Sequence, residues 1–196
     1  MRQDITWKIT KGKLYLAYKW RNRMKKYFAL LSLLVLAACY GRDKSITEIY
    51  LINTEGLDKN IGVITLQDSA QGLELDIDLQ GLPAGEHGFH VHEMGDCGAA
   101  ADKDGKMTAG LKAGGHYDPD KTGEHLGPNK SGHKGDLPYL TVDAQGIVKT
   151  KIYAPHLKVK EIKGRSLMIH AGGDNYQDKP LPLGGGGARI ACGVVK

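Results

Sequence analysis

The residues of this sequence best suited to chemistry are its histidines, all eight of which lie between positions 87 and 170. His90 and His92 form a His-x-His pair in a segment with strand character. Successive side chains of a strand point to opposite faces, so both rings leave the same face about 6.5–7 Å apart at the backbone and can share one metal ion. Taken alone, such a pair is also common on an ordinary strand surface.

Further candidate ligands follow the pair. His116, His125, His133 and Asp136 lie in a stretch rich in Gly, Asp, Lys and Pro, and His170 closes a later strand-like segment. Imidazole nitrogen suits zinc and copper, and three imidazoles with one carboxylate form a closed tetrahedral zinc set. The clustering therefore indicates a metal site rather than scattered surface histidines.

Short strands must position these groups. Residues 73–79 alternate strictly between apolar and acidic side chains, which predicts a strand with one buried face. Strand-length stretches also occur at Thr47–Asn53, Ile61–Gln67, His87–His92, Tyr139–Asp143, Ile147–Ala154, Ser166–His170 and Arg189–Val195. Eight strands, with only a short helical turn at Lys158–Lys163, predict an all-β sandwich or flattened barrel. Two long loops, 93–138 and 171–188, are expected to be functional.

The charge of the chain is divided unevenly. The net charge is +5, but residues 1–38 hold nine of the 27 Lys and Arg and one of the 22 acids, which leaves residues 39–196 at −3. A mildly acidic body excludes nucleic acid as a partner.

The amino-terminal segment predicts export. From Met24 the sequence shows two lysines, a short apolar run and small residues before Cys39, the layout of a signal peptide. The run is too short to span a bilayer, which takes about 20 residues. The Leu36–Cys39 end resembles a bacterial lipobox, in which the cysteine is acylated and becomes the first mature residue. Tyr40 in place of Asp resembles the class sorted to the outer membrane.

These features predict four segments. Residues 1–23 form an upstream extension outside the folded protein, and Met1 and Met24 both remain open as start codons. Residues 24–38 form the signal peptide, 39–47 a lipid-anchored linker, and 48–196 a single domain. The expected location is the oxidising periplasm, with the lipid on Cys39 as the only membrane contact.

Five stretches of the domain together resemble a known family. They are GFHVHEMGDCG (88–98), GGHYDP (114–119), HKGDLP (133–138), MIHAGGDNY (168–176) and GGGGARIACGVV (184–195). In this order they are similar to the copper/zinc superoxide dismutases, in particular the bacterial periplasmic branch. The resemblance covers nearly all of residues 48–196 and implies an eight-stranded Greek-key fold with the two long loops around the metals.

The resemblance implies a role for each ligand candidate. Copper is bound by His90, His92, His116 and His170, and zinc by His116, His125, His133 and Asp136. His116 would then bridge the two metals. Asp174 matches the aspartate that links a copper histidine to a zinc histidine and fixes their orientation. His87 matches a histidine bonded to backbone, and His156 matches no ligand.

Three further residues take their roles from the same resemblance. Cys97 and Cys192 match an intrasubunit disulfide that pins the long loop to the last strand. Arg189 matches the arginine that guides the superoxide anion to copper. Because the body is net negative, a local positive field at Arg189 would have to attract the anion.

The implied activity is the conversion of superoxide to oxygen and hydrogen peroxide in two one-electron steps, during which His116 releases copper, takes up a proton and returns. A copper or zinc carrier without turnover is the alternative, and a structural or adhesive β-sandwich lipoprotein is a third reading that would not need clustered histidines. The sequence leaves both a monomer and a homodimer open.

Overall fold

The computed structural model describes residues 43–196, and all structural statements below concern this part of the chain. The signal segment 24–38, Cys39 and the extension 1–23 lie outside the described residues. Within 43–196 no helix has the length and apolar character needed to cross a bilayer.

The domain consists almost entirely of antiparallel strands. They are β1 (Lys44–Asn53), β2 (Gly56–Ser69), β3 (Gly72–Gln80), β4 (Gly85–His87), β5 (Phe89–His92), β6 (Ala100–Ala101), β7 (Met107–Thr108), β8 (Leu140–Val142), β9 (Ile147–Ala154), β10 (Ser166–His170) and β11 (Arg189–Val194). One short helix, α1 (Val159–Ile162), and two 3-10 turns, Leu111–Ala113 and Pro182–Gly185, complete the described elements.

Seven strands form one curled sheet in the order β5-β10-β11-β1-β2-β3-β9, and β4 pairs with β8. The two edges of the sheet are connected through this short pair. The edge strand β5 continues from β4 through Gly88, and the other edge strand, β9, follows β8 after a turn closed by the hydrogen bond from Gly146 N to Asp143 O (3.0 Å). The expected all-β, flattened-barrel class is confirmed, and the strand expected at His87–His92 is divided at Gly88.

Apolar side chains from the inner face of the sheet fill the core. In β3 the alternation seen in the sequence places Leu75, Ile77 and Leu79 inside, all at most 1% exposed. Phe89 and Leu137 are fully buried in the same cluster. Burial of such side chains contributes about 1.5–3 kcal/mol each, which stabilises the barrel that carries the loops.

The first strand is longer than the sequence indicated. It begins at Lys44, so the last four residues of the expected linker 39–47 belong to β1. The sequence does not show the alternation of apolar and polar residues expected of this strand, because two of its inward positions hold polar residues. Ser45 is buried and donates a hydrogen bond to Lys196 O (2.9 Å), and Thr47 is fully buried.

The loop 93–138 also contains structure that the sequence did not reveal. Residues 100–101 and 107–108 form a small hairpin, and the Asp102 side chain accepts hydrogen bonds from the backbone N–H groups of Asp104 and Lys106 (2.9 and 3.0 Å). The short helix expected at 158–163 is confirmed at Val159–Ile162.

Candidate metal centre

The His-x-His pair lies on β5, an edge strand whose outer side is occupied by the returning loop. Met168 and Ser166 of β10 pair with His90 and His92 on one side. On the other side isolated bridges join His90 to Asp136 and His92 to His116. The register of this edge therefore places residues of the long loop directly beside the pair.

Backbone hydrogen bonds hold this arrangement together. Val91 N–H donates to Gly135 O (2.9 Å), and Tyr117 N–H donates to Val91 O (2.8 Å). Gly135 has no room for a side chain, since a Cβ there would lie 2.3 Å from Val91 O. The glycine before Asp136 thus permits the close approach of loop and strand.

Two clusters of candidate ligands result from this packing. In each cluster, every residue offers one ligand atom, and these atoms lie within 4.8 Å of one another. The first cluster consists of His90, His92, His116 and His170, and the second of His90, His116, His125 and Asp136. All of these residues are buried. His116 belongs to both clusters, as expected of a residue placed between two ions.

His133 lies at the border of the second cluster. Its Nδ1 is 3.5 Å from Asp136 Oδ1, and its side chain is 10% exposed. The other Asp136 contacts are closer, at 3.0 Å from His116 Nδ1 and 3.0 Å from His125 Nδ1. Three imidazole nitrogens therefore point at one carboxylate, the composition of a tetrahedral zinc site.

The strongest sign of metal binding is a set of nitrogens without partners. Among the described residues, six buried imidazole nitrogens make no hydrogen bond: His90 Nδ1, His92 Nε2, His116 Nε2, His125 Nδ1, His133 Nδ1 and His170 Nε2. A buried polar atom without a partner is costly and calls for an explanation. An ion coordinated by these nitrogens supplies the missing partner, so the residues fit the two metals.

The opposite ring nitrogens of four histidines donate to protein acceptors. His90 Nε2 and His125 Nε2 donate to the two oxygens of Asp174, each at 2.8 Å. His92 Nδ1 donates to Gly114 O (2.9 Å) and His170 Nδ1 to Gly187 O (3.3 Å). These bonds fix the tautomers so that the lone pairs point into the clusters.

Burial sets the ionisation of the ligand candidates. Desolvation lowers the pKa of His90 to about 3 and that of His170 to about 4, so both rings are neutral and able to act as ligands. Desolvation also acts to lower the pKa of His125, but the neighbouring carboxylates of Asp136 and Asp174 outweigh it and raise the pKa to about 9. Burial would raise the pKa of Asp136, yet the three histidines around it, His116, His125 and His133, hold that pKa well below its usual range.

Arg189 lies beside the first cluster, at the start of β11. Its Nη1 donates to Gly110 O (2.5 Å) and its Nη2 to Gly114 O (2.7 Å), the oxygen that also accepts from His92. Its positive charge contributes to lowering the pKa of His92 and of His170, after burial and His116. Among the described residues these two bonds are the ones its guanidinium makes, which leaves three of its five N–H groups without a protein acceptor.

The remaining residues named from the sequence are also placed. A disulfide joins Cys97 to Cys192, with 5.8 Å between the Cα atoms. His87 is buried, and its ring nitrogens lie 2.7 and 2.9 Å from the carbonyl oxygens of His170 and Pro83. His156 is exposed and belongs to neither cluster. The sequence did not indicate that the carbonyl oxygens of Gly114 and Gly187 accept hydrogen bonds from His92 and His170, because every residue has a backbone carbonyl whatever its side chain.

Comparison with known proteins gives a consistent result. Residues 60–195 match the family model described as copper/zinc superoxide dismutase. The superoxide dismutases [Cu-Zn] of Brucella abortus and of Escherichia coli K12 are each 47% identical to this chain, over 88% of it and 100% of their own length.

Solved structures agree as well. The Cu/Zn superoxide dismutase from Brucella abortus superposes with a TM-score of 0.77 at 49% identity, covering 79% of this chain and 100% of that one. The monomeric copper, zinc superoxide dismutase from Salmonella enterica superposes with a TM-score of 0.70 at 46% identity, with the same coverage. The chain belongs to the copper/zinc superoxide dismutase family: it is an oxidoreductase that converts superoxide to oxygen and hydrogen peroxide and takes copper and zinc as cofactors.

Proposed function

We propose that seven residues hold the two metals. Copper takes His90, His92, His116 and His170, and zinc takes His116, His125, His133 and Asp136. The observation that carries this assignment is the set of six buried imidazole nitrogens without hydrogen-bond partners. Each of them belongs to a residue of this set, and His116 contributes Nε2 to the copper side while its Nδ1 faces Asp136.

The chemistry supplied by copper, when bound, is the exchange of one electron with each of two superoxide ions, while zinc fixes the bridging ring. His116 Nε2 is the atom that changes role. It would hold copper, and it would be the atom that carries a proton to the second superoxide between the two electron exchanges. Overall, two superoxide ions and two protons yield one oxygen and one hydrogen peroxide.

The protein controls the position of His116 throughout this exchange. The ring is buried, and its Nδ1 lies 3.0 Å from Asp136 Oδ1. Its backbone lies against β5 through the bridge to His92. Only Nε2 is therefore free to gain and lose a proton, without movement of the backbone.

Arg189 serves to attract and orient the anion. Its guanidinium is half-buried and held by two carbonyl oxygens, so the planar fork is fixed in direction. A fixed cation beside a partly desolvated site attracts small anions more strongly than an exposed one. Superoxide is accordingly the only substrate that we assign to this site.

Both proposed ligand sets come from a single chain, so the site does not require a second copy. The Salmonella enterica relative is described as monomeric. We further propose that residues 24–38 direct the chain to the periplasm and that a lipid on Cys39 anchors it to the outer membrane. The layout from Met24 to Cys39 supports this. The intact mass of membrane-extracted protein tests it, since a mature chain that retains Trp7 or Trp20 would contradict cleavage before Cys39.

Three variants test the division of ligands. His170→Asn removes a nitrogen proposed for copper alone, and His125→Asn one proposed for zinc alone; His156→Asn is the matched control, because that ring is exposed and lies in neither cluster. Metal analysis should show loss of copper in the first, loss of zinc in the second and no loss in the third. Equal loss of both metals in both ligand variants would contradict the assignment.

A further inference from the structure

We propose that Tyr176 is a positioning residue for the zinc site, acting on both of its buried carboxylates, Asp136 and Asp174. The proposal rests on the ligand assignment above and goes beyond it, because Tyr176 offers no ligand atom to either cluster. It lies two residues after Asp174, in the loop between β10 and β11.

The backbone of Tyr176 is held in an unusual conformation. Its φ is +55°, in the left-handed region that a bulky residue rarely adopts. In this conformation its N–H donates to Asp174 Oδ1 at 2.8 Å. The same oxygen accepts from His125 Nε2 at 2.8 Å, so the strained peptide helps to orient the carboxylate that holds a zinc histidine.

The ring of Tyr176 reaches the other carboxylate through a glycine. A Cβ on Gly127 would lie 2.6 Å from the Tyr176 ring, which means that the ring lies directly against the Gly127 backbone. Gly127 N–H donates to Asp136 Oδ2 at 3.2 Å, beside the N–H of Leu126 at the same distance. The ring packs against this turn and so holds the N–H groups of Leu126 and Gly127 in position to donate to Asp136.

The phenol connects this arrangement to the barrel. Tyr139 N–H donates to the Tyr176 hydroxyl at 3.0 Å, immediately before β8, and the two rings stack with 5.9 Å between their centroids. Tyr176 therefore links the loop that carries Asp174, the loop that carries Asp136 and a fixed strand. Its loss should let both carboxylates move. The effect should be largest on zinc, because Asp136 and His125 belong to the proposed zinc set, whereas His90 is the one proposed copper ligand that contacts Asp174.

The test measures zinc release from the copper- and zinc-loaded protein into a chromogenic chelator. Tyr176→Gly removes the ring and tolerates the positive φ, and it should release zinc about tenfold faster, the lower end of the effect of outer-sphere partners on metal sites. Tyr176→Phe keeps the ring against Gly127 and its stacking on Tyr139, and loses only the hydrogen bond from Tyr139 N–H, so its release rate should stay within about twofold of the wild type.

A pair of glycine variants approaches the same contact from the other side. Gly127→Ala places a methyl group against the ring. Gly123→Ala is the matched control, because Gly123 has a similar φ of +64° but nothing within 4 Å of its Cβ position. Gly127→Ala should release zinc as fast as Tyr176→Gly, and Gly123→Ala at the wild-type rate.

Cobalt substituted for zinc provides a readout that general loss of stability would not change. The visible absorption of bound cobalt reports ligand geometry and should differ between Tyr176→Gly and the wild type, even at temperatures where both are fully folded. A wild-type cobalt spectrum and zinc release rate in Tyr176→Gly would overturn the proposal. An equal increase in Gly123→Ala and Gly127→Ala would do the same.

Asp136→Ala, measured alongside, separates this proposal from the ligand assignment. If Asp136→Ala loses zinc while Tyr176→Gly keeps it, only the role of Tyr176 fails. If Asp136→Ala keeps zinc, the zinc site itself is wrongly assigned.

Discussion

The Cys97–Cys192 disulfide should make a large contribution to the stability of the domain. The two cysteines are 95 residues apart in sequence. In the chain-entropy model, closing a loop of this length stabilises the folded protein by about 4.7 kcal/mol, because it restricts the unfolded chain. Reduction should therefore lower the melting temperature by roughly 10 °C or more for a domain of this size.

Guanidinium chloride unfolding in the presence of a metal chelator measures this free energy without a contribution from metal binding. The reduced wild type keeps both sulfur atoms and isolates the effect of the bond. The double variant Cys97→Ala, Cys192→Ala should be somewhat less stable still, since both sulfurs pack in a buried cluster with Ile52, Ala113 and Met168. The slope of the transition should increase in both, because the unfolded chain becomes less compact.

The same bond should also affect catalysis. Cys97 fixes the start of the segment whose Gly110 and Gly114 carbonyls hold Arg189, and Cys192 lies three residues after that arginine. When the disulfide of the metal-loaded protein is reduced, the rate of superoxide conversion should therefore fall before any metal is lost. A stability change below about 1 kcal/mol on reduction would refute the loop-closure reasoning, since it lies far outside the 2–5 kcal/mol usual for native disulfides.

Three further predictions concern single side chains. Arg189→Ala should keep both metals and lower the second-order rate constant for superoxide. Arg189→Glu should lower this rate constant further and flatten or reverse its decline with rising salt. Stopped-flow decay of superoxide at several ionic strengths measures both effects. Asp136→Ala should weaken zinc binding at least tenfold while copper still binds, because it removes the carboxylate of the zinc set only; competition with a chelator of known affinity is the assay. Asp174→Asn keeps the size of the side chain but replaces one acceptor oxygen with a donor, so either His90 or His125 loses its hydrogen-bond acceptor. The affinity for at least one metal should therefore fall about 10- to 100-fold in the same assay. Unchanged affinity for both metals would contradict the role of this carboxylate.

The fold could largely be predicted from the sequence where burial leaves a regular pattern. The alternation in Leu73–Leu79 corresponds to a strand with one fully buried face, β3. The first three residues of β1 were missed because Ser45 turns inward where a pattern of apolar residues was expected. The hairpin in the long loop was missed because Ala100–Ala101 and Met107–Thr108 are too short to show any period.

The candidate metal centre could also be predicted only in part from the sequence. Residue types and spacing indicated a metal site, and the family resemblance indicated the individual ligands, but neither showed what orients them. Gly114 and Gly187 act through carbonyl oxygens, which every residue possesses. Tyr176 acts through a backbone conformation and a contact with Gly127, and both depend on the three-dimensional packing of two loops far apart in sequence.

The ligand assignment is tested most directly by anomalous diffraction from crystals of the copper- and zinc-loaded protein, recorded at the absorption edges of both metals. We expect one copper among His90 Nδ1 and the Nε2 atoms of His92, His116 and His170. One zinc should lie among Asp136 and the Nδ1 atoms of His116, His125 and His133. A single ion, or two ions that do not share His116, would contradict the account.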